Sequence, residues 1–472
     1  MSNPIIKGEK VIRLGRSPRT PGPPGHWMLG TIRAFQRDPL RFLLELTRQY
    51  GDLVFLRFLG WPVYLVNHPE DIKRVLQEHH RSYNKDTIDY RLLRPLLGNG
   101  LLTNDGASWL HQRRLIQPVF HRQRLAALDT LMSDATLAML ERWREDVLRA
   151  QPLDVAAEMT RLTFSIVGQA LFTMDLHAEG DTVRGALTTM NQSIIDSFYT
   201  PFSPLRILTA RKRLRTAYRT LDQIVQTIIA EHRRQPQDTG DVLSRLLLAR
   251  DEETGQGMDD RQVRDEVVTL LLAGHETTSN ALAWTWYLLA QHPAVEQRLH
   301  IELDEVLGGR IPTGEDLPRL PYSRMVIEEA MRLYPPAWSF SRNALAEDEL
   351  AGYPIPAGSL ILLCPYTTHR HPAFWEQPEV FDPLRFTPEC MASRPPYAYF
   401  PFGGGPRLCI GSTFAMMEAQ LILATVAQRY RLCLSGATHI EPEPLVTLRP
   451  CGGLPMLVHP RHVRDERSGE KH

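Results

Sequence analysis

Apolar and polar positions along the chain change period several times, and each change marks an element. GDLVFLRFLGWPVYLVNHP, residues 51–69, holds two apolar runs of strand length around Gly60-Trp61-Pro62, which predicts a β-hairpin. From Pro69 to Tyr334 apolar residues recur at spacings of three and four, punctuated by Gly and Pro, so this portion is expected to be largely helical. Breaks are expected near 84–107, at TPFSP (200–204) and at RDEETGQGMDD (250–260). The last ends in Asp259 and Asp260, side chains suited to capping the helix that follows. After residue 335 prolines multiply and strands return, and LAGYPIPAGSLILLCPY (350–366) reads as a second β-hairpin. STFAMMEAQLILATVAQ (412–428) is again helical in period.

The expected fold is therefore mainly α with a minor β region drawn from both ends of the chain. Sheet assembled from both ends favours one large interlocked domain, residues 26–460, although 472 residues would allow about three domains by length. PGPPG at 21–25 makes 1–25 a stiff, non-helical lead-in. The charged RHVRDERSGEKH ending makes 461–472 a polar tail.

Composition mostly excludes. A 43% hydrophobic and 23% charged chain is an ordinary globular one. A formal net charge of +0 supplies no field for nucleic acid or an anionic membrane. The N-terminus carries charges and no apolar signal region. VVTLLLAG (267–274) and ALAWTWYLLA (281–290), the longest apolar runs, fall short of the roughly 18 residues of a membrane span. A soluble, cytoplasmic protein without a transmembrane anchor is expected. The 5 cysteines lack C-x-x-C spacing, which argues against a disulfide framework or zinc site and fits a reducing compartment.

FPFGGGPRLCIG (400–411) carries the candidate chemistry. A single thiolate with no His or Cys beside it cannot build a zinc or iron–sulfur site, but it can be the one protein ligand of a haem iron. Glycines let backbone N–H groups fold back on the sulfur, and the N-terminus of the following helix favours the thiolate. Arg407 is placed to meet an anionic group. On this loop alone, a buried structural cysteine is an equally good reading of Cys409.

The pattern F-x-x-G-x-R-x-C-x-G, here Phe402, Gly405, Arg407, Cys409 and Gly411 with Gly403 in addition, resembles the haem-thiolate loop of the cytochrome P450 family. The resemblance implies the cytochrome P450 fold, haem b (iron protoporphyrin IX), Cys409 as its metal ligand and Arg407 at a propionate. Four further segments extend it. EEAMRLYPP places Glu329 and Arg332 on one helical face, and FDPLRF supplies Arg385; the resemblance implies a buried structural network of these three. GASWLHQRRL places Trp109 and Arg113 four apart, like the family's W-x-x-x-R helix that reaches a propionate. Arg342, in SFSRN, matches a third propionate-binding arginine.

VVTLLLAGHETTSNALAWTWYLL (267–289) breaks the rules of a buried apolar helix by carrying Gly274 to Asn280 in its middle. Glycine alone costs about 1 kcal/mol there, and such local violations are expected at functional sites. AGHETT resembles the family's (A/G)-G-x-(D/E)-T segment, which crosses the haem opposite the thiolate. The resemblance implies that Gly274 leaves room for dioxygen. It also implies that Thr277 with Glu276 routes protons to the outer oxygen atom, while the thiolate pushes electron density from the other side. His275 occupies the variable position.

Together these imply a haem-thiolate monooxygenase. It would insert one atom of O2 into a lipophilic small molecule such as a fatty acid or terpenoid, by hydroxylation or epoxidation. About sixty residues beyond Cys409 leave no space for a flavin domain, so a ferredoxin or flavodoxin with an NAD(P)H-dependent reductase is expected. A peroxide-using haem-thiolate enzyme is the first alternative, opposed by the Glu276-Thr277 pair. A non-catalytic haem-binding sensor and a metal-free binding module are the others. Expected pocket walls are 84–105, Phe198 to Phe202, Leu270 to Thr277, Ala337 to Phe340 and CGGLP (451–455).

Overall fold

The computed structural model describes residues 20–24 and 31–461, except 59, 121–125, 175, 177–181, 184, 187, 191–203, 235–240, 249, 251–254, 256 and 437–438. Expectations for TPFSP, for Phe198 to Phe202 and for the tail beyond 461 thus fall outside the described residues, apart from Pro204, where a helix begins.

Strands come from both ends of the chain. β1 (Leu53–Phe58), β2 (Trp61–Val66) and β3 (Tyr83–Asn84) precede the helical bulk, and the short β4 (Leu153–Asp154) lies within it. β5 (Phe340–Ala344), β6 (Asp348–Leu350), β7 (Tyr353–Ile355), β8 (Leu360–Leu363), β9 (Tyr430–Leu434), β10 (Pro442–Pro444), β11 (Leu448–Pro450) and β12 (Pro455–Pro460) follow it. The first hairpin forms as expected, with Leu53 opposite Val66 and Phe58 opposite Trp61. It belongs to a sheet of order β1-β2-β8-β5-β3, while β12 joins β4 to β9 in a second sheet. The lead-in docks on β1, whose Phe55 N–H donates to Pro21 O at 2.7 Å.

The second expected hairpin is corrected. Tyr353–Ile355 turns back at Ala351-Gly352 to pair with β6, while Leu360–Leu363 lies between β2, parallel, and β5, antiparallel. The LILL run is apolar on both faces, and Ile361 and Leu363 are fully buried. Such a run suits a central strand with neighbours on both edges.

The helices that position the site are α1 (Ile88–Leu97), α2 (Gly106–Ile116), α3 (Asp129–Leu148), α4 (Val155–Phe172), α5 (Asp260–Gln291), α6 (Pro321–Leu333) and α7 (Ser412–Ala427). α5 runs unbroken for 32 residues through HETTSN. It opens with a capping box, in which Gln262 N–H donates to Asp259 Oδ1 at 2.7 Å and Asp259 N–H to Gln262 Oε1 at 3.2 Å. Packing against α1, α4, α6 and α7 buries most of its length in the main core. Among the described residues no helix is long and apolar enough to cross a membrane.

The break expected over 84–107 is also corrected, because it contains α1. Pro95 sits inside that helix, which closes at Gly98. The following turn is seated on α5: Asn99 N–H donates to Asp265 Oδ2 at 2.8 Å, and Leu101 N–H to Glu266 Oε2 at 3.0 Å. A Cβ on Gly98 would run into the Asp265 carboxylate, and one on Gly100 into Thr269 Oγ1. The turn is therefore defined by a helix about 165 positions away, as the Leu101–Glu266 spacing gives.

Glu266 is fully buried, and burial pushes its carboxyl up to about 8, with Asp265 adding to the rise. A carboxyl held neutral in the fold loses stability as pH climbs from the ordinary carboxylate range towards that value. Glu266→Gln keeps an acceptor for Leu101 N–H and removes the charge. In urea denaturation the variant should match the wild type at pH 5 and gain on it steadily up to pH 8; a gain that shrinks with pH would mean that Glu266 is charged in the fold.

Candidate functional site

The cysteine loop is held by its own backbone and by one neighbour. Cys409 N–H donates to Phe402 O at 3.0 Å, closing the loop. Gly403 and Gly405 have φ of 72° and 61°, a region that side chains rarely occupy. A Cβ on Gly405 would also collide with Leu76 O. Tyr397 Oη accepts from Gly405 N–H at 3.0 Å and donates to Gln77 Oε1 at 2.8 Å. Cys409 is exposed, yet the protein enclosing it pushes its thiol pKa up, so it lines an internal space. Gly411 N–H and the Arg113 charge pull that pKa back towards the thiolate. Gly411 itself has neither a left-handed backbone nor a crowded Cβ position, since Phe120 Cε1 would lie 3.9 Å away.

Behind the loop lies the network expected from the sequence. Arg332 Nε and Nη2 donate to the two Glu329 oxygens at 2.7 and 2.8 Å, and both side chains are 0% exposed. Arg385 Nε lies 3.4 Å from Glu329 Oε1, which also accepts from Asp382 N–H. Burial raises the Glu329 carboxyl, while Arg332 and Arg385 oppose that rise. The remaining Arg332 donors reach the carbonyls of His369, Pro378 and Val380. His369, which sequence reasoning missed, is fully buried and accepts from Phe400 N–H through Nε2 at 2.9 Å. Burial and the charges of Arg332 and Arg370 hold it neutral. The ion pair is thereby tied to the first residue of the cysteine loop.

Trp109, on α2, is buried and sits beneath two cations, Arg407 at 3.7 Å and Arg113 at 5.7 Å from its ring centre. Arg407 is ion-paired with Asp105 and donates to Asn104 O at 2.9 Å. Burial lowers its pKa to about 10. Arg113 donates to Leu408 O at 3.0 Å. Arg342, on β5, reaches Tyr90 Oη at 3.4 Å and Ser341 O at 2.8 Å. This cationic pocket next to an accessible sulfur fits a flat group with an acidic edge, as haem has.

On α5, Thr277 Oγ1 donates to Ala273 O at 2.9 Å, and Ala273 is exposed in the middle of an otherwise buried helix. A Cβ on Gly274 would lie 3.1 Å from Val167 Cγ2, so this glycine admits α4, and the open step of the helix is at the exposed Ala273, beside Gly274 and one turn before Thr277. Glu276 is bound elsewhere too: its Oε1 accepts from Thr447 Oγ1 at 2.7 Å, and Asn280 Nδ2 donates to the same hydroxyl at 3.0 Å. Thr447 had no local signal in the sequence. His275 faces away, buried edge-on against Phe164 with Nδ1 2.7 Å from Leu271 O.

A mainly helical fold around an enclosed cysteine loop, a cationic pocket and a helix opened at one step defines a haem-binding protein. A family model for cytochrome P450 matches residues 20–452. The chain is 40% identical over 447 residues to cyclooctatin synthase of Streptomyces melanosporofaciens, covering 94% of this chain and 96% of that protein. Cyclooctat-9-en-7-ol 5-monooxygenase of the same organism is 40% identical over 444 residues, covering 92% and 94%. Pentalenene oxygenase of Streptomyces avermitilis is 34% identical over 439 residues, covering 93% and 94%. The crystal structure of the cytochrome P450DA haem domain superposes with a TM-score of 0.85 at 30% identity, covering 94% of this chain and 98% of that one. The chain belongs to the cytochrome P450 family. It is a haem-thiolate monooxygenase whose cofactor is iron protoporphyrin IX, and it works with O2, a lipophilic substrate and a redox partner.

Arg332→Met would leave Glu329 buried without its partner, a change that costs about 3–5 kcal/mol. Urea denaturation should show a loss of that order, together with poor retention of haem. A loss below about 1 kcal/mol, the worth of an exposed pair, would mean that the network is dispensable.

Proposed function

We propose that Cys409 supplies the thiolate to the haem iron, with Trp109, Arg113, Arg342 and Arg407 along the acidic edge of the porphyrin. The observation that carries this reading is the accessible sulfur at the end of the glycine loop closed by Cys409 N–H on Phe402 O, whose thiolate is favoured by Gly411 N–H and the Arg113 charge. When bound, the haem supplies dioxygen binding and its two-electron reduction. The protein's own residues then manage protons. Thr277 Oγ1 spends its hydrogen on Ala273 O, so its oxygen can accept from a proton donor at the open step. Glu276, oriented by Thr447 and Asn280, is the carboxyl from which protons reach that step. Glu329, Arg332 and Arg385 hold the sulfur side in place.

The substrate we infer is a terpenoid. Relatives named for cyclooctat-9-en-7-ol and pentalenene align over nearly the whole chain. The candidate walls contributed by Leu101, Leu102 and Leu270 are apolar, as ligand pockets commonly are. Electrons would come from a ferredoxin or flavodoxin with an NAD(P)H-dependent reductase, in the cytoplasm, with residues 26–460 as the catalytic domain.

The test begins with the absorption spectrum of the dithionite-reduced protein under carbon monoxide. A strongly red-shifted Soret band is expected in the wild type and its loss in Cys409→Ser; a band at the ordinary haem–imidazole position in the wild type would overturn the assignment. Terpenoid hydrocarbons and alcohols should shift the ferric spin state where fatty acids do not. Thr277→Ala should keep the carbon monoxide band while product per NAD(P)H falls about tenfold or more, at the low end of general acid–base effects, with the electrons appearing as hydrogen peroxide. Coupling equal to wild type would remove Thr277 from the proton route.

A further inference from the structure

The helix Pro204–Arg234 carries charge unlike the helices around it. Between Asp196 and Asp222 the sequence has no acidic residue, and it has Arg206, Arg211, Lys212, Arg213, Arg215 and Arg219. Lys212, Arg215 and Arg219 recur at spacings of three and four, which sets them in one stripe, with Arg213 at its flank. All four are exposed, and none has an ion-pair partner among the described residues. Ala217, Leu221, Val225 and Ile228, on the opposite face, are buried in the main core. Other exposed arginines sit beside acids. Arg144 is 2.8 Å from Glu141, Arg149 is 3.4 Å from Glu145, and Arg234, at the end of this same helix, is 2.8 Å from Glu231.

Cations at i and i+4 repel, and a face that meets only water gains from acids interleaved among them. A stripe of one sign, in a chain whose formal net charge is +0, is instead complementary to an anionic surface. Its place in the fold decides which one. Three residues after Arg219, Asp222 Oδ1 lies 2.8 Å from Arg264 Nε of α5, and the same guanidinium donates to Leu96 O of α1 at 2.8 Å. The stripe thus ends beside the 98–101 turn, a candidate wall of the substrate space, while its helix packs on α5 with the other face. In the haem arrangement proposed above, a small acidic electron carrier seated there would have α5 between itself and the Cys409 sulfur. A bilayer, by contrast, dissolves a lipophilic substrate, and its anionic headgroups attract basic residues near the surface. We propose that the Lys212–Arg219 stripe docks the enzyme on anionic phospholipid bilayers, bringing the wall turn at 98–101 close to lipid that carries the substrate.

The test is flotation of the purified holoenzyme with vesicles of phosphatidylglycerol mixed into phosphatidylcholine, and with phosphatidylcholine alone. Binding should require the anionic lipid and fall as salt is raised. Lys212→Gln, Arg213→Gln, Arg215→Gln and Arg219→Gln together should weaken it about tenfold or more, each cation contributing up to about fivefold. Arg213→Lys, Arg215→Lys and Arg219→Lys together keep the charge and should bind as the wild type does. Arg142→Gln with Arg144→Gln removes exposed cations from α3 and should change binding less than about threefold. Arg215→Gln with Arg219→Gln takes the place of the four-residue variant if the latter does not accumulate as folded protein. A wild type that ignores anionic vesicles, or a four-residue variant that binds them equally well, would overturn the proposal. So would slower reduction of that variant by a ferredoxin with vesicle binding unchanged, which would make the stripe a protein-docking surface. The carbon monoxide band, read on the same samples, tests the Cys409 reading separately.

Discussion

The Glu329–Arg332 pair is the constraint on which the site depends. Two charges taken wholly out of water are tolerable only when every lone pair and proton finds a partner. Here the guanidinium supplies its donors to both Glu329 oxygens and to three backbone carbonyls between His369 and Val380. Each of those bonds draws the irregular chain after β8 onto α6. His369 carries the constraint onward, since its carbonyl serves Arg332 and its ring accepts from the backbone of Phe400. The loop that presents Cys409 is thus pinned at its entrance by a network and at its middle by Gln77 and Leu76.

α5 plays the complementary part. Four of the polar residues along it have distant partners. Asp265 and Glu266 seat the 98–101 turn, and Glu276 and Asn280 meet Thr447. Trp284 stacks on Tyr334 at 4.0 Å and donates to Leu448 O at 3.0 Å. The hydroxyls of Thr277, Thr278, Ser279 and Thr285 stay within the helix, and Thr277's is the one that meets the carbonyl of the exposed Ala273. The helix acts as a spine from which both walls of the substrate space are hung, and its open step lies between those attachments.

Charge follows the same pattern of local sites and remote partners. The cationic pocket collects Lys85 and Tyr90 from around α1, Asp105, Trp109 and Arg113 from around α2, Arg342 from β5 and Arg407 from the cysteine loop. No stretch of sequence shorter than about 320 residues contains all of them, as the spacing of Lys85 and Arg407 gives. A formally neutral chain can in this way concentrate positive charge where an acidic cofactor edge would sit.

By itself the sequence determined whatever depends on neighbours along the chain. The glycines of the cysteine loop reflect backbone angles at Gly403 and Gly405. The i,i+3 spacing of Glu329 and Arg332 and the i,i+4 spacing of Trp109 and Arg113 place each pair on one helical face. The capping box at Asp259 and the hairpin around Gly60 were legible for the same reason. Only the tertiary structure decided matters settled by groups far apart in sequence. These include the pairing of Leu360–Leu363 between two other strands, α1 despite Pro95, the turn seated on Asp265 and Glu266, and the contacts of Thr447 and His369. It also set Val167 of another helix against Gly274 and left Ala273 as the exposed residue beside it. Periodicity and motif spacing carry information over a few residues, whereas a buried polar atom is satisfied by whichever group the fold brings within about 3 Å.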